Sequence, residues 1–332
     1  MEEFSLITSL VKRLPAPGAD VLIGIGDDAA AVRTSGQPLI MSTDTMVEGV
    51  HFLPSTITDY NLGYKSLAVS VSDIAAMGGK PLYALVSLAI SSDWNEERLG
   101  KLYDGFAEVT ARFGCHVVGG DVVSTTGPMV ITTTVIGEAD KPITRRGAQP
   151  GDVIFVTGRL GGSSAGLETL MQQSAISPTG QAALVAKHQR PEPRVSAGQF
   201  FAEVGVHALN DISDGLASEL NEIAAQSQVR CVIEAARIPL QPEVKEQARS
   251  RQADPLSYAL YGGEDYELVG AVPARTFAVL LANAQLLRVP ITQIGRCETG
   301  DGVVMRHVDG RLEVIEPKGY NHFARASRAG SR

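Results

Sequence analysis

YNLGYKSLAVSVSDIAAMGGKPLYALVSLAI, residues 60–90, holds the pattern on which the fold turns. Residues 60–77 are dense in Ala, Val and Leu and predict a helix, and PLYALVSLAI reads as a buried strand. Val69, Val71, Ile74, Ala75 and Met77 make the helix apolar nearly all round, as in helices that are mostly buried. Asp73 stands among them. A buried carboxylate is costly unless it is paired or bound to a cation. No Lys or Arg lies within one turn, so its partner is a group elsewhere in the fold, such as a distant turn, or a metal.

Outward from this stretch, helices and strands alternate. Upstream, residues 2–13 read as an amphipathic helix carrying Phe4, Ile7, Leu10 and Val11, followed by the Gly-rich loop IGIGDDAA and a strand at 39–43. Downstream, 95–113 reads as a helix with Asp93 as N-cap and Glu96 three residues on. CHVVGG and MVITTTVIGE read as strands. The Pro- and Gly-rich segment KPITRRGAQPGD, 141–152, marks a boundary. It predicts an N-terminal domain over 1–145, a C-terminal domain over 146–323, and a polar, basic, disordered tail over 324–332. The second half reads as strand VIFVTG, a Gly-opened helix from 161, further helices to about 204, HALNDISDG leading into a helix, and strand CVIEA. Helical segments over 241–260, the YGGEDYELVGAV loop and strand, a helix at 275–286 and short strands near 291–297, 303–307 and 312–315 complete it. Such alternation predicts an α/β or α+β architecture, and 332 residues suit two domains.

Hydrophobic residues make up 44% and charged residues 20%, an ordinary globular mixture with material for two cores. The formal net charge of −8 argues against nucleic acid as a partner. Cys115, Cys231 and Cys297 form no CxxC pair, which suits reduced thiols in the cytosol. The start MEEFSL lacks the basic region of a signal peptide, and no apolar run approaches membrane-spanning length. A soluble, cytoplasmic protein without a membrane partner is expected.

Many of the acids sit in turns, beside glycines or at strand ends: Asp27 and Asp28 in IGIGDDAA, Asp44 in MSTDT, Asp121 in VVGGD, Asp211 and Asp214 in NDISDG, Glu264 and Asp265 in YGGED. Asp27 with Asp28 also fits an ordinary turn, and Asp211 with Asp214 fits an N-cap and a first-turn acid. Ser42 and Thr43 beside Asp44 offer hard oxygen ligands. Mg²⁺ takes one or two carboxylates together with water and substrate phosphates, so acids from separate loops suit several ions that neutralise a triphosphate on an acidic protein. IGIGDDA matches G-x-G-x-x-A, but two aspartates oppose a bare pyrophosphate, and no GxxxxGK[ST] is present. GRLGGSSAGLETL fits an anion site at a helix N-terminus or close helix–strand packing. Arg145 and Arg146 suit phosphate or a solvated surface equally, and His51 without a second His at ligand spacing is no zinc site.

IGDDAA, STDTMVEGVHF, VSVSDIAAMGG, VVGGD, TRRGAQPGD, TGRLGGSSAGL, DISDGL, YGGEDYEL and GYNHF occur in that order from residue 24 to residue 323. This series closely resembles the bacterial thiamine-monophosphate kinases, members of the superfamily of ATP-using enzymes related to aminoimidazole ribonucleotide synthetase. The resemblance implies an N-terminal four-stranded sheet, a C-terminal α/β domain, and a homodimer whose two N-terminal sheets close into a barrel near the ATP cleft. It implies that Asp28, Ser42, Thr43, Asp44, Asp73, Asp121, Asp211 and Asp214 form magnesium sites. Tyr103, Gly120, Asp121, Arg145 and Ser213 would contact ATP, and His51, Glu264 and Tyr320 would contact thiamine monophosphate. A carboxylate and an aromatic face suit the thiazolium cation. Tyr320 stands where many of these kinases carry Trp. They also suggest K⁺ as a further cation. The implied reaction makes thiamine diphosphate by direct in-line transfer, with no covalent nucleophile. The alternative is a sister synthetase acting on another acceptor. Selenophosphate synthetases differ by a reactive Cys or selenocysteine near the N-terminus, and the hydrogenase-maturation enzyme by a Cys-bearing tail. A non-enzymatic cation or nucleotide sensor would bind without turnover.

Overall fold

A computed structural model describes residues 21–23, 30–33, 36, 38–172 and 176–319. The expected helix over 2–13, the IGIGDDAA loop with Asp27 and Asp28, Tyr320 and the tail lie outside the described residues. The chain forms two mixed sheets. The first has the order β1-β2-β3-β6-β4-β5 and is built from β1 (Val21–Ile23), β2 (Ala30–Arg33), β3 (Pro38–Val47), β4 (Lys80–Ile90), β5 (His116–Ser124) and β6 (Val130–Glu138). Its four long strands are the expected four-stranded sheet, and the short β1 and β2 widen it at one edge. Only β4 and β5 run parallel; the other pairs are antiparallel.

Helices α1 (Asp59–Ala76) and α2 (Glu96–Phe113) belong to this half. Thr58 caps α1 by accepting from the Asn61 amide at 3.2 Å. The helix stops at Gly78, φ 70°, where the Gly78 and Gly79 amides return to the carbonyls of Ala75 and Ile74. Gly63 of α1 and Gly105 of α2 let the two backbones touch: a methyl group on either would collide with a carbonyl oxygen of the other helix. The core between α1, α2 and the sheet contains Ile40, Leu67, Val71, Ile74, Val86, Leu88, Leu102, Phe106 and Ile131. The N-cap of α2 is Asn95, which accepts from the Arg98 amide at 3.0 Å, and not Asp93 as the sequence pattern had it. Asp93 instead accepts from Ser91 and pairs with Arg98, a stronger charged partner than a backbone amide.

The second sheet has the order β13-β12-β9-β11-β7-β10-β8. Its strands are β7 (Val153–Thr157), β8 (Ala208–Asp211), β9 (Arg230–Glu234), β10 (Leu268–Val272), β11 (Ile291–Glu298), β12 (Val303–Arg306) and β13 (Leu312–Val314). Around it lie α3 (Gly162–Met171), α4 (Pro178–Gln189), α5 (Val195–Val204), α6 (Leu216–Ser227), α7 (Pro242–Arg251), α8 (Pro255–Leu260) and α9 (Ala274–Asn283). β7 and β10 are buried on both faces, as continuous apolar runs demand, and β8 is buried too although it ends in Asn210 and Asp211. One core packs α6 and α8 against this sheet, and a second fills the space around α5 and α9 with Phe155, Phe201 and Phe277. α1 is shared between the halves: besides its own sheet it packs on α5 and β8. Among the described residues no helix is long and apolar enough to cross a membrane.

Candidate active site

The polar residues of α1 explain themselves at the junction of the halves. From the inner face of β3, the Ser42 hydroxyl donates to Asp73, and Asp44 accepts from Ser70 Oγ at 2.7 Å. From the end of β8, Asp211 accepts from Ser72 Oγ at 2.5 Å. One helix thus gathers Asp44, Asp73 and Asp211 from elements far apart in sequence. Burial pushes the Asp44 carboxyl up, against hydrogen bonds from Ser70 and Asp73. Burial also pushes Asp211 up to about 6, with the charges of Asp44 and Glu222 adding and Ser72 and Arg145 opposing. Carboxylates crowded in this way favour a cation among them.

Asp211 ends a strand, and the N-cap of α6 is Gly215 without a side-chain cap, so neither Asp211 nor Asp214 caps that helix. The loop between them is held from below by Glu219. This buried carboxylate accepts from Asn210 Nδ2 at 2.5 Å, the Asp214 amide at 2.9 Å and Ser213 Oγ at 3.3 Å. Burial, then the charges of Glu222, Asp214 and Asp211, raise it far above the usual carboxylate range. Arg145 reaches Asn210 Oδ1 at 3.1 Å and Glu222 at 3.2 Å beside the same strand, whereas Arg146 is exposed.

Beside these acids opens a cavity of about 750 Å³ between the halves. Thr43, Asp44, Ser213 and Asp214 line it together with His51, Val69, Glu264 and Tyr266. The Glu264 loop is built by an unusual backbone: Glu264 has φ 69° and Tyr266 φ 50°, a left-handed conformation that costs side-chain-bearing residues about 1 kcal/mol or more each. Amide bonds offset this, Glu264 N to Ser213 O at 2.7 Å and Tyr266 N to Ile212 O at 2.9 Å. Asp265, between them, turns away and accepts from the amides of Gly161 and Ser163 at 2.6 and 3.2 Å. The acceptor at the N-terminus of α3 is therefore the chain's own carboxyl, which burial pushes up to about 7 against those two amide bonds. The helix also packs closely, since a side chain on Gly166 would strike the Leu184 carbonyl of α4.

Glu264 is held from behind. Lys65 Nζ lies 2.9 Å from Oε1 and His188 Nδ1 lies 3.3 Å from Oε2. Burial works to raise the Glu264 pKa, but the Lys65 ammonium, with His188 and His51, holds it below the usual range. His188 is pushed down to about 4 by burial and then by Lys65, against Glu264. His51 Nδ1 accepts from the Val47 amide at 2.9 Å.

The structure brings Ser42, Thr43, Asp44, Asp73, Asp211, Ser213, Asp214, His51 and Glu264 around one junction. Three expected residues stand apart within the chain. Asp121 and Gly120 lie on the exposed edge strand β5, three strands from β3, or about 14 Å by strand spacing. Tyr103 lies on the outer face of α2, edge-on to Phe106. Lys65, Ser70, Ser72, His188 and Glu219 were missed by the sequence reading. For the α1 residues the signal was present, as polar groups in an apolar helix; His188 and Glu219 carry no local mark. Among the described residues no three His, Cys, Asp or Glu side chains come close enough to hold a metal unaided. The donors are nonetheless hydroxyl and carboxylate oxygens, the set suited to Mg²⁺, which takes few protein ligands and completes its shell with phosphate and water.

Family models match both halves: AIR synthase related protein, N-terminal domain, over residues 26–139, and the corresponding C-terminal domain over 149–308. The thiamine-monophosphate kinase of Bacillus subtilis (strain 168) is 42% identical, covering 97% of this chain and 100% of that one. That of Aquifex aeolicus (strain VF5) is 36% identical, covering 97% of this chain and 98% of the other. Among solved structures, AaThiL complexed with AMPPCP and TMP superposes with a TM-score of 0.86 at 34% identity over 97% of each chain. Two matched domains in order, nearly full coverage and this level of identity place the chain: it belongs to the AIR synthase related proteins and, within them, to the thiamine-monophosphate kinases.

Proposed function

We propose that this chain transfers the γ-phosphoryl group of ATP to thiamine monophosphate, making thiamine diphosphate. The observation that carries this reading is the single cavity running from Asp44 and Asp214 to His51 and Glu264. One end offers oxygen donors that suit a triphosphate with its magnesium; the other offers a carboxylate held ionised, which suits a cationic ring. The relatives agree on the acceptor.

In this reading Ser42, Thr43, Asp44, Asp73, Asp211 and Asp214, with Asp28 and Asp121, hold magnesium ions, and K⁺ is a further candidate cation. Bound there, magnesium supplies Lewis-acid charge neutralisation for the phosphates. The chain's own residues do the positioning. Ser70 and Ser72 aim the Asp44 and Asp211 carboxylates, and Glu219 holds the Ser213–Asp214 loop. Glu264, His51 and Tyr320 receive the thiamine moiety so that its phosphate oxygen faces the γ-phosphorus in line. That oxygen is ionised at neutral pH, so direct transfer needs no covalent nucleophile and little general base. Arg145 and Ser213, with Tyr103 and Gly120, receive ATP.

The distance of Tyr103, Gly120 and Asp121 from the acid cluster fits a homodimer in which the partner's copy of β5 completes the nucleotide site. The β4–β5 edge supports it: Tyr83 and Leu85 of β4 and, on both sides of β5, Val117, Val118, Val122 and Val123 are exposed, more apolar edge than a lone sheet tolerates. The domain division at 145/146 and a cytoplasmic location belong to the same reading.

Purified protein with ATP, Mg²⁺ and thiamine monophosphate tests it, with product read by mass spectrometry. Thiamine diphosphate that vanishes without Mg²⁺ is expected. Folded, ATP-binding protein that makes none would transfer the assignment to a sister synthetase.

A further inference from the structure

The long helix α1 holds two carboxylates of the other half at once. Lys65 grips Glu264 and Ser72 grips Asp211. The two gripping residues are seven apart, hence on one face of the helix and about 10.5 Å apart along its axis. Val69, between them on that face, lines the cavity. Lys65 is 1% exposed and pairs across the junction with Glu264.

Glu264 is also held at its second oxygen. His188 of α4 presents Nδ1 to Oε2 at 3.3 Å and to Ser163 Oγ of α3 at 3.1 Å. Its imidazole is neutral near pH 7, because burial and Lys65 depress its basicity. The carboxylate thus has one neighbour on each oxygen, Lys65 from the N-terminal half and His188 from the C-terminal half, and 28% of its side chain remains open to the cavity. A long, rotatable side chain fixed at both oxygens contributes direction at little further entropic cost on binding.

We propose that Lys65 and His188 are positioning residues for the acceptor: between them they aim the Glu264 carboxylate into the cavity, where it meets the cationic ring of the acceptor. The proposal rests on the kinase reading above and deepens it. Glu264 touches the ligand; Lys65 and His188 act through Glu264.

The test is steady-state kinetics on the full chain, with both substrates varied in turn. Lys65→Met raises KM for thiamine monophosphate about tenfold or more and leaves KM for ATP within about twofold, with kcat the lesser change. His188→Leu shows the same split, and His188→Asn, which keeps a donor near the Nδ1 position, restores most of the loss. Titration calorimetry with thiamine, which lacks the phosphate, shows the same weakening, because the defect lies at the ring end. A merely structural role would move both KM values together and leave Asn no better than Leu. Unchanged KM for thiamine monophosphate in folded Lys65→Met, or parallel increases for both substrates, overturns the proposal. If Lys65→Met does not fold, the His188 pair decides alone. Absence of wild-type turnover is a separate outcome: it removes the kinase reading and the positioning role with it.

Discussion

Acid should find His188. It is 3% exposed and its pKa is lowered from 6.5 to about 4 by burial and by Lys65, against the charge of Glu264. A histidine depressed in the folded state contributes stability that is present above its unfolded pKa and lost as pH falls toward the folded one, because the unfolded chain binds the proton first. With these two values the loss is well under 1 kcal/mol at pH 7 and about 2 kcal/mol at pH 5, so lowering the pH by two units removes roughly 2 kcal/mol through this residue alone. At a urea slope of about 3 kcal/mol/M that is a midpoint shift of about 0.7 M. The assay is urea denaturation followed by circular dichroism at both pH values, on wild type and on His188→Asn. Other groups titrate in both proteins and cancel in the double difference. Wild type should lose about 2 kcal/mol more than the variant between pH 7 and pH 5. Equal losses would refute the reasoning, and a larger loss in the variant would reverse its sign.

Two further perturbations probe other parts of the junction. Asp44→Asn and Asp214→Asn each reduce thiamine diphosphate formation by about a hundredfold or more, measured with near-native circular dichroism; a wild-type rate in either folded variant removes that residue from the magnesium set. Arg194→Met strands Glu267, which Arg194 holds from Nε at 2.7 Å and Nη2 at 2.5 Å and which also accepts from Thr157; a loss of about 3–5 kcal/mol in urea unfolding is expected, and one below about 1 kcal/mol would show the pair to be dispensable.

Local pattern carried the elements well wherever the physics is local. An all-round apolar run from 60 to 77 has no stable place but a buried helix, and the alternation of strand and helix in both halves announces layered sheets. Capping was less legible. Asp93 looks like a cap, and Asp211 with Asp214 like a cap and a first-turn acid; instead Asp93 pairs with Arg98, Asp211 accepts from Ser72, and Asp214 lines the cavity, all of which only the folded chain presents. The acidic motifs named the junction by composition and by family resemblance. They did not reveal that Ser70, Ser72 and Lys65 on α1, with Ser42 on β3, aim those acids, because each bond spans 26 to 199 residues.

By itself, then, the sequence determined the class of elements, the two-half organisation and the hard-oxygen chemistry, since these follow from side-chain type and short-range periodicity. Tertiary structure alone decided which carboxylates are buried and raised, that Glu264 is held ionised by Lys65 and His188, and that Asp121 lies strands away from Asp44. Burial and pairing are properties of neighbours brought from distant positions, and a pKa or a clamp exists only once those neighbours have met.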